Sequence, residues 1–261
     1  MAGKDRERVQ KFREEANAIR RAEESRSRRN RWLAQLGIIS GSVVVLAAIV
    51  LLAVFGSTWF GSRTVLEARG YVEVPSADGS SVEQPISASA SGIAVGRSDA
   101  AMKIDYYFDF SCPHCVDYHA ATGQAYNDLV ASGTAQITYH PMNIIAPYGA
   151  QAGAALAAAV SADPASFYEV RDGLYGIPGQ TQSAWGPEDY ATALTQMGIA
   201  DDAALEATAK GEYVDWVAGN TSLSREAGVT STPTIAIDGQ LQLNDQGQSS
   251  PPDAEAIAAL N

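Results

Sequence analysis

Hydrophobic and polar positions divide the chain into unlike stretches. From Trp32 to Ser62 no charged residue occurs, and Leu36 to Phe55 is a run of twenty dominated by Leu, Ile, Val and Ala. At about 1.5 Å rise per residue such a run reaches about 30 Å, the hydrocarbon thickness of a bilayer. A buried core helix seldom stays uncharged on every face for so long. A cleaved signal peptide has an apolar run of roughly 7 to 15 residues and a small-residue cleavage site, and neither fits here. Residues 35–57 are therefore expected to be a single transmembrane helix, with Trp32 on one flank and Trp59 and Phe60 on the other as interfacial anchors.

After the apolar run, residues 58–91 are rich in Ser, Ala, Gly and Pro, as in Pro75-Ser76-Ala77-Asp78-Gly79-Ser80-Ser81, and read as a flexible tether without a core. Folded patterning begins near Gly92. Ile93 to Val95 is a short strand candidate. In Lys103 to Phe110, Ile104, Tyr106, Phe108 and Phe110 alternate with Asp105, Tyr107 and Asp109, the period of a strand. A helical stretch follows to about Gly133, then a strand at Ala135 to Tyr139 and a block of helices over residues 147–227. Asp163-Pro164 and Pro187 mark helix starts within that block. Thr234 to Asp238 and Leu241 to Leu243 flank Gly239 as a hairpin, and Pro252 to Leu260 closes the chain as a helix. Strand, helix, strand, helical block, two strands and helix assemble most economically as an α/β domain, a central sheet with a helical insertion.

Charge sharpens the topology. Of the 18 Lys and Arg and 30 Asp and Glu, residues 1–31 hold 11 and 6, so the head is +5 and the remainder −17. Arginine before the apolar run and its scarcity afterwards predict a cytoplasmic basic arm at residues 1–34 and an extracytoplasmic catalytic region, in a single-pass cell-membrane protein. So acidic a body excludes a phosphate-tracking surface, and nucleic acid is not expected as a partner.

Only two cysteines exist, in Cys112-Pro113-His114-Cys115, which excludes a multi-bridge scaffold. The pair sits where a strand gives way to a helix. A cysteine at a helix N-terminus faces unpaired N–H groups and the positive end of the dipole, both of which favour its thiolate. Pro113 suits the first helical turn, and His114 offers a donor or a positive charge beside the sulfur. Cys112 is then the attacking thiolate and Cys115 the resolving thiol. A fall in pKa from about 7 to about 4 would favour the dithiol state by about 4 kcal/mol and raise the reduction potential by about 90 mV. A structural bridge over so short a loop is worth only about 2 kcal/mol. A zinc site would need His119 or His140 and lacks a second C-x-x-C, so no metal is expected.

Asp109-Phe110-Ser111-Cys112-Pro113-His114-Cys115, followed by Gly228-Val229-Thr230-Ser231-Thr232-Pro233-Thr234 and then Asp238-Gly239, resembles the DsbA family of thioredoxin-fold thiol:disulfide oxidoreductases. The resemblance covers roughly residues 92–261. It implies a thioredoxin fold with a helical domain inserted between the second and third core strands. It implies Cys112 as nucleophile, Cys115 as resolving cysteine and Pro113-His114 as the dipeptide of strongly oxidising members. Pro233 matches a cis proline, and Thr232 would offer its backbone to an extended substrate. The activity implied is disulfide formation in unfolded exported proteins bearing cysteines. No cofactor is needed beyond the Cys112–Cys115 disulfide, and a membrane quinone-linked reoxidase is the implied partner, reached in the plane of the lipid. A reductase or isomerase on the same fold is the nearest alternative, and an anchored non-catalytic binding or assembly module is the alternative of another class. Some members carry a buried acid six residues before the nucleophile. Tyr106 stands there in this chain, and Asp109 is expected to be an exposed strand-end acid outside the catalytic set.

Overall fold

The computed structural model describes residues 65–261. The basic arm and the apolar run expected to span the membrane lie outside them. Among the described residues no helix is long and apolar enough to cross a membrane.

Seven strands form one sheet: β1 (Ala68–Pro75), β2 (Ser81–Ser89), β3 (Gly92–Val95), β4 (Met102–Phe108), β5 (Ala135–Pro141), β6 (Thr234–Ile237) and β7 (Gln240–Leu241). Their spatial order is β1-β2-β3-β5-β4-β6-β7. Only β4 and β5 run parallel, with Ile104 beside Ile137 and Tyr106 beside Tyr139. A parallel neighbour demands a crossover, and α1 (Pro113–Ala131) supplies it. β6 returns antiparallel on the other side of β4, with Tyr107 opposite Thr234. That pairing brings the end of β4, which leads into the cysteines, beside the start of β6, which follows Thr232-Pro233.

Between β5 and β6 lies the helical insertion: α2 (Tyr148–Ala162), α3 (Phe167–Gly176), α4 (Gly179–Gln182), α5 (Pro187–Gln196), α6 (Asp202–Lys210) and α7 (Val214–Glu226). It occupies the span that the sequence marks as a helical block. α2 is mostly alanine, the strongest helix former, and is buried nearly all round. Its small side chains let neighbours approach so closely that a Cβ on Gly153 would lie 2.9 Å from Val217. α8 (Ala254–Ala258) closes the chain, and the Tyr118 hydroxyl donates to the Pro252 carbonyl at 2.8 Å to hold that end on α1.

The tether reading of residues 58–91 is corrected over its described part. Residues 68–89 are two paired strands, in register from Ala68 opposite Ala88 to Pro75 opposite Ser81. Val72 and Val74 point into the core while Tyr71 and Glu73 point out, and Ile86 and Ala88 do the same on β2. The Pro, Ser and Gly content belongs to the turn between them, where Gly79 takes φ +83° and Asp78 accepts from the Ser80 amide. The hairpin is fastened to the helices by Gln124 donating to the Pro75 carbonyl at 3.1 Å and by the Trp216 indole donating to the Ser89 carbonyl at 2.8 Å. Leu66, just ahead of β1, is fully buried. Leu66→Ala should therefore cost about 2–5 kcal/mol in urea unfolding. A cost near zero would return this segment to the status of a tether.

Candidate active site

β4 leads into a tight turn, and Cys112 takes the N-cap position of α1 with extended backbone angles (φ −88°, ψ 115°). Pro113 occupies the first helical turn, where an amide hydrogen would have had no partner. The Cys112 carbonyl accepts from the amides of Cys115 (2.9 Å) and Val116 (3.2 Å), which starts the helix. Both cysteines are free thiols and both are buried, Cys112 at 2 % and Cys115 at 0 % exposure, while Pro113 and His114 face solvent.

The two thiols shift each other's acidity in opposite directions. Cys112 is lowered from 9.0 to about 6, first by the Cys115 thiol, against a burial penalty, and then by the Cys115 amide, the Thr232 hydroxyl and the His114 amide. Cys115 is pushed far up, first by burial and then by Cys112. The sequence anticipates the low pKa of Cys112 but assigns it to the helix end and the His114 imidazole. The His114 side chain is exposed and makes no hydrogen bond to either sulfur, so its contribution comes through its backbone.

Thr232-Pro233 has a cis peptide bond, and the Thr232 carbonyl lies 3.4 Å from the Cys112 sulfur. The loop is shaped by Thr234 donating to the Ser231 carbonyl and Ser249 donating to the Pro233 carbonyl, each at 2.7 Å. Cys112, Cys115, Thr232 and Pro233 thus meet in one place, although 120 residues separate Cys112 from Thr232.

Asp109 corrects a sequence expectation. It is not exposed but fully buried. One carboxylate oxygen accepts from the Ser111 amide (2.8 Å) and hydroxyl (2.6 Å), the other from the amides of Ile144 (2.7 Å) and Ile145 (2.9 Å). Ser111 in turn accepts from the Ala146 amide at 3.0 Å. The carboxylate clamps the turn carrying Cys112 to the loop that enters the insertion, and all of its roughly four lone-pair sites are used. Strand alternation cannot show this, because two of the donors lie 35 and 36 residues away.

Beside the cysteines a depression of about 230 Å³ is walled by Phe110, Pro113, Val116, Tyr148 and Ile177, with Asp117 at its side. Phe110 and Pro113 belong to the cysteine motif, whereas Tyr148 and Ile177 carry no motif and reach this wall only through the packing of the insertion. His119 and His140 are engaged elsewhere. His119 meets Asp172 at 3.1 Å, and His140 meets Asp105 at 2.9 Å and the Ser91 carbonyl. Among the described residues no group of three His, Cys, Asp or Glu could hold a metal ion.

The thioredoxin family model matches residues 88–252, well over half of the chain. The chain belongs to the thioredoxin family. Among solved structures, this family member is similar to MdbA, a thiol-disulfide oxidoreductase from Corynebacterium diphtheriae, at 25 % identity and TM-score 0.53, over 59 % of this chain and 85 % of that one. The Corynebacterium matruchotii MdbA matches at 20 % identity and TM-score 0.56, over 67 % and 90 %. DsbA from Mycobacterium tuberculosis, in its reduced form, matches at 17 % and 0.51, over 65 % and 98 %. No curated protein matches the chain. The fold is accordingly the DsbA-like form of the thioredoxin fold, with its helical insertion.

Three measurements check the site. The rate of Cys112 alkylation by iodoacetamide should be half-maximal near pH 6. Because the folded pKa lies below that of a free thiol at 9.0, the thiolate's contribution to stability is complete above pH 9 and is lost as the pH falls through about 6. The stability difference between the reduced protein and Cys112→Ser should shrink across that window. Asp109→Asn, which turns an amide group toward amide donors, should destabilise by at least about 3 kcal/mol in denaturant unfolding.

Proposed function

We propose that this chain is a thiol:disulfide oxidoreductase of the DsbA-like type, working from a membrane anchor to form disulfides in exported proteins. One observation carries the reading: a Cys-Pro-His-Cys pair at a helix start in which the outer sulfur is held acidic by the inner one, beside the Thr232-Pro233 loop. A stabilised thiolate favours the dithiol form, so the corresponding disulfide is an oxidant. A fall from 9.0 to about 6 favours the dithiol form in the direction an oxidant needs.

In the reaction a substrate thiolate attacks the Cys112 sulfur of the Cys112–Cys115 disulfide. The S–S bond breaks, its electron pair goes to the Cys115 sulfur, and a mixed disulfide joins substrate to Cys112. A second substrate thiolate attacks the substrate sulfur of that bond, and Cys112 leaves as the thiolate. Two electrons pass from the substrate thiols to the enzyme, and the proton of the second thiol ends on Cys115. The apolar depression beside Pro113 and Val116 suits unfolded chains, and the edge offered by Thr232 suits an extended segment. The dithiol is returned to the disulfide by a quinone-linked membrane reoxidase. The uncharged run from Trp32 to Ser62 supports placing the enzyme in the same membrane, its amino terminus in the cytoplasm.

The redox equilibrium with glutathione tests the direction of the chemistry. A potential well above that of thioredoxin, about −270 mV, is expected for an oxidase. A value at or below that of thioredoxin would make the chain a reductase.

A further inference from the structure

The depression beside Cys112 has a chemistry of its own. Ser111 and Pro113, the residues on either side of the nucleophile, both line it, so it opens one residue from the sulfur that substrate would meet. Its apolar wall is Phe110, Val116 and Ile177, and its volume of about 230 Å³ has room for one long side chain. The polar side chains of the wall offer acceptors. The Asp117 carboxylate is exposed and takes part in no ion pair among the described residues. The Tyr148 hydroxyl donates its hydrogen to the Ser111 carbonyl at 3.4 Å, which leaves its oxygen able to accept. Gly179 admits that phenol, since a Cβ there would lie 2.6 Å from the Tyr148 oxygen.

Charge around the depression has one sign. Between Lys103 and Lys210 the single Lys or Arg is Arg171. Its guanidinium is buried over three rings and donates to Asp172. Every element that builds the depression lies in that span. His114, His119 and His140 are the other groups of the span able to carry positive charge, and the last two are held by Asp172 and Asp105. Residues 65–261 as a whole hold 24 Asp and Glu against 6 Lys and Arg. A substrate thiol reacts as its thiolate, so an anion must approach an acidic surface. A cation beside the substrate cysteine offsets that repulsion, and an apolar stem beneath the cation matches the rest of the wall. Lysine and arginine are the side chains that have both parts.

We propose that this depression is a specificity pocket for a lysine or arginine side chain next to the reacting cysteine of the substrate. The inference rests on the oxidoreductase reading of the site. The methylene stem lies along Phe110, Val116 and Ile177, and the cationic head meets the Asp117 carboxylate and the Tyr148 oxygen. Thr232, whose carbonyl lies 3.4 Å from the Cys112 sulfur, is not part of this wall, so the backbone and the side chain of a substrate are held by different parts of the site.

Four short peptides provide the test, alike except that arginine, norleucine, glycine or glutamate flanks a single cysteine on both sides. Each is supplied in excess at low salt to the oxidised protein, and the rate of reduction of the Cys112–Cys115 disulfide is followed. The proteins compared are the parent, Asp117→Asn, Asp117→Lys, Ile177→Ser and Asp202→Asn. Asp202 is an exposed acid beside the far end of α2 and serves as the remote charge control. Ratios between peptides, compared from protein to protein, cancel the unequal thiol acidities of the peptides. Asp117→Asn should cut the arginine-to-glutamate ratio about threefold, and Asp117→Lys should cut it further. Asp202→Asn should leave that ratio in place. Ile177→Ser should lower the norleucine-to-glycine ratio about twofold or more. An arginine-to-glutamate ratio unchanged in Asp117→Asn would overturn the proposal, as would an equal fall in Asp202→Asn or a norleucine-to-glycine ratio that Ile177→Ser does not move. Each of those outcomes leaves the oxidoreductase reading standing. A parent disulfide that none of the peptides reduces would remove that reading, and this inference with it.

Discussion

The unequal surroundings of two neighbouring sulfurs govern this molecule. The neighbouring Cys115 thiol lowers the pKa of the outer sulfur, while burial first and Cys112 second make the inner one reluctant to ionise. The asymmetry fits the proposed roles, an exposed motif edge at Pro113 and His114 beside the sulfur that would meet substrate and full burial for the sulfur that would resolve. It survives only if the backbone holds both side chains on the first turn of α1 and if solvent stays away from Cys115.

Much of the surrounding fold can be read as meeting those conditions. β4 ends in a turn whose geometry is set by the buried Asp109 carboxylate, and the same carboxylate ties that turn to the loop before α2. The antiparallel pairing of β6 with β4 brings the Thr232 carbonyl to the outer sulfur. Aromatic rings from β4, α1 and α3 pack against one another in the same core cluster as the two cysteines: Tyr106, Phe108, Tyr118 and Tyr175. The insertion also walls the depression beside the cysteines, through Tyr148 and Ile177. The β1–β2 hairpin adds support from the far edge of the sheet, through its bonds to α1 and α7.

The aromatic layer also holds a buried guanidinium whose carboxylate partner, Asp172, is half exposed. The Arg171 guanidinium lies over the rings of Tyr139, Phe167 and Tyr168, at 4.6 Å from the Tyr168 centroid, and its Nε donates to Asp172 at 2.7 Å. Asp172 also meets His119 on α1. Removing the Asp172 carboxylate would leave the Arg171 charge without its partner among aromatic rings, which is costlier than losing a wholly exposed pair. This set of contacts is a directional fastening between the core helix and the insertion, where apolar packing alone would allow sliding.

By itself the sequence determined whatever depends on near neighbours. A cysteine followed by proline at a strand end specifies a helix start, alternating residues specify β4, and alanine-rich runs specify the helical block. Two ordered motifs pointed to the family, and with it to Thr232 and Pro233. What tertiary structure decided depends on groups that meet only after folding. Asp109 looks like a strand-end acid until loop amides 35 and 36 residues away saturate it. Val72 and Val74 are too few to declare a strand among Ser, Gly and Pro, and become core only because β3 offers the hairpin a sheet to extend. The Cys112 thiolate draws on the neighbouring thiol first and on the helix-start amides of Cys115 and His114 after it, an order set by how the two sulfurs pack. Burial and hydrogen-bond saturation are properties of the assembled chain, and no local pattern encodes them.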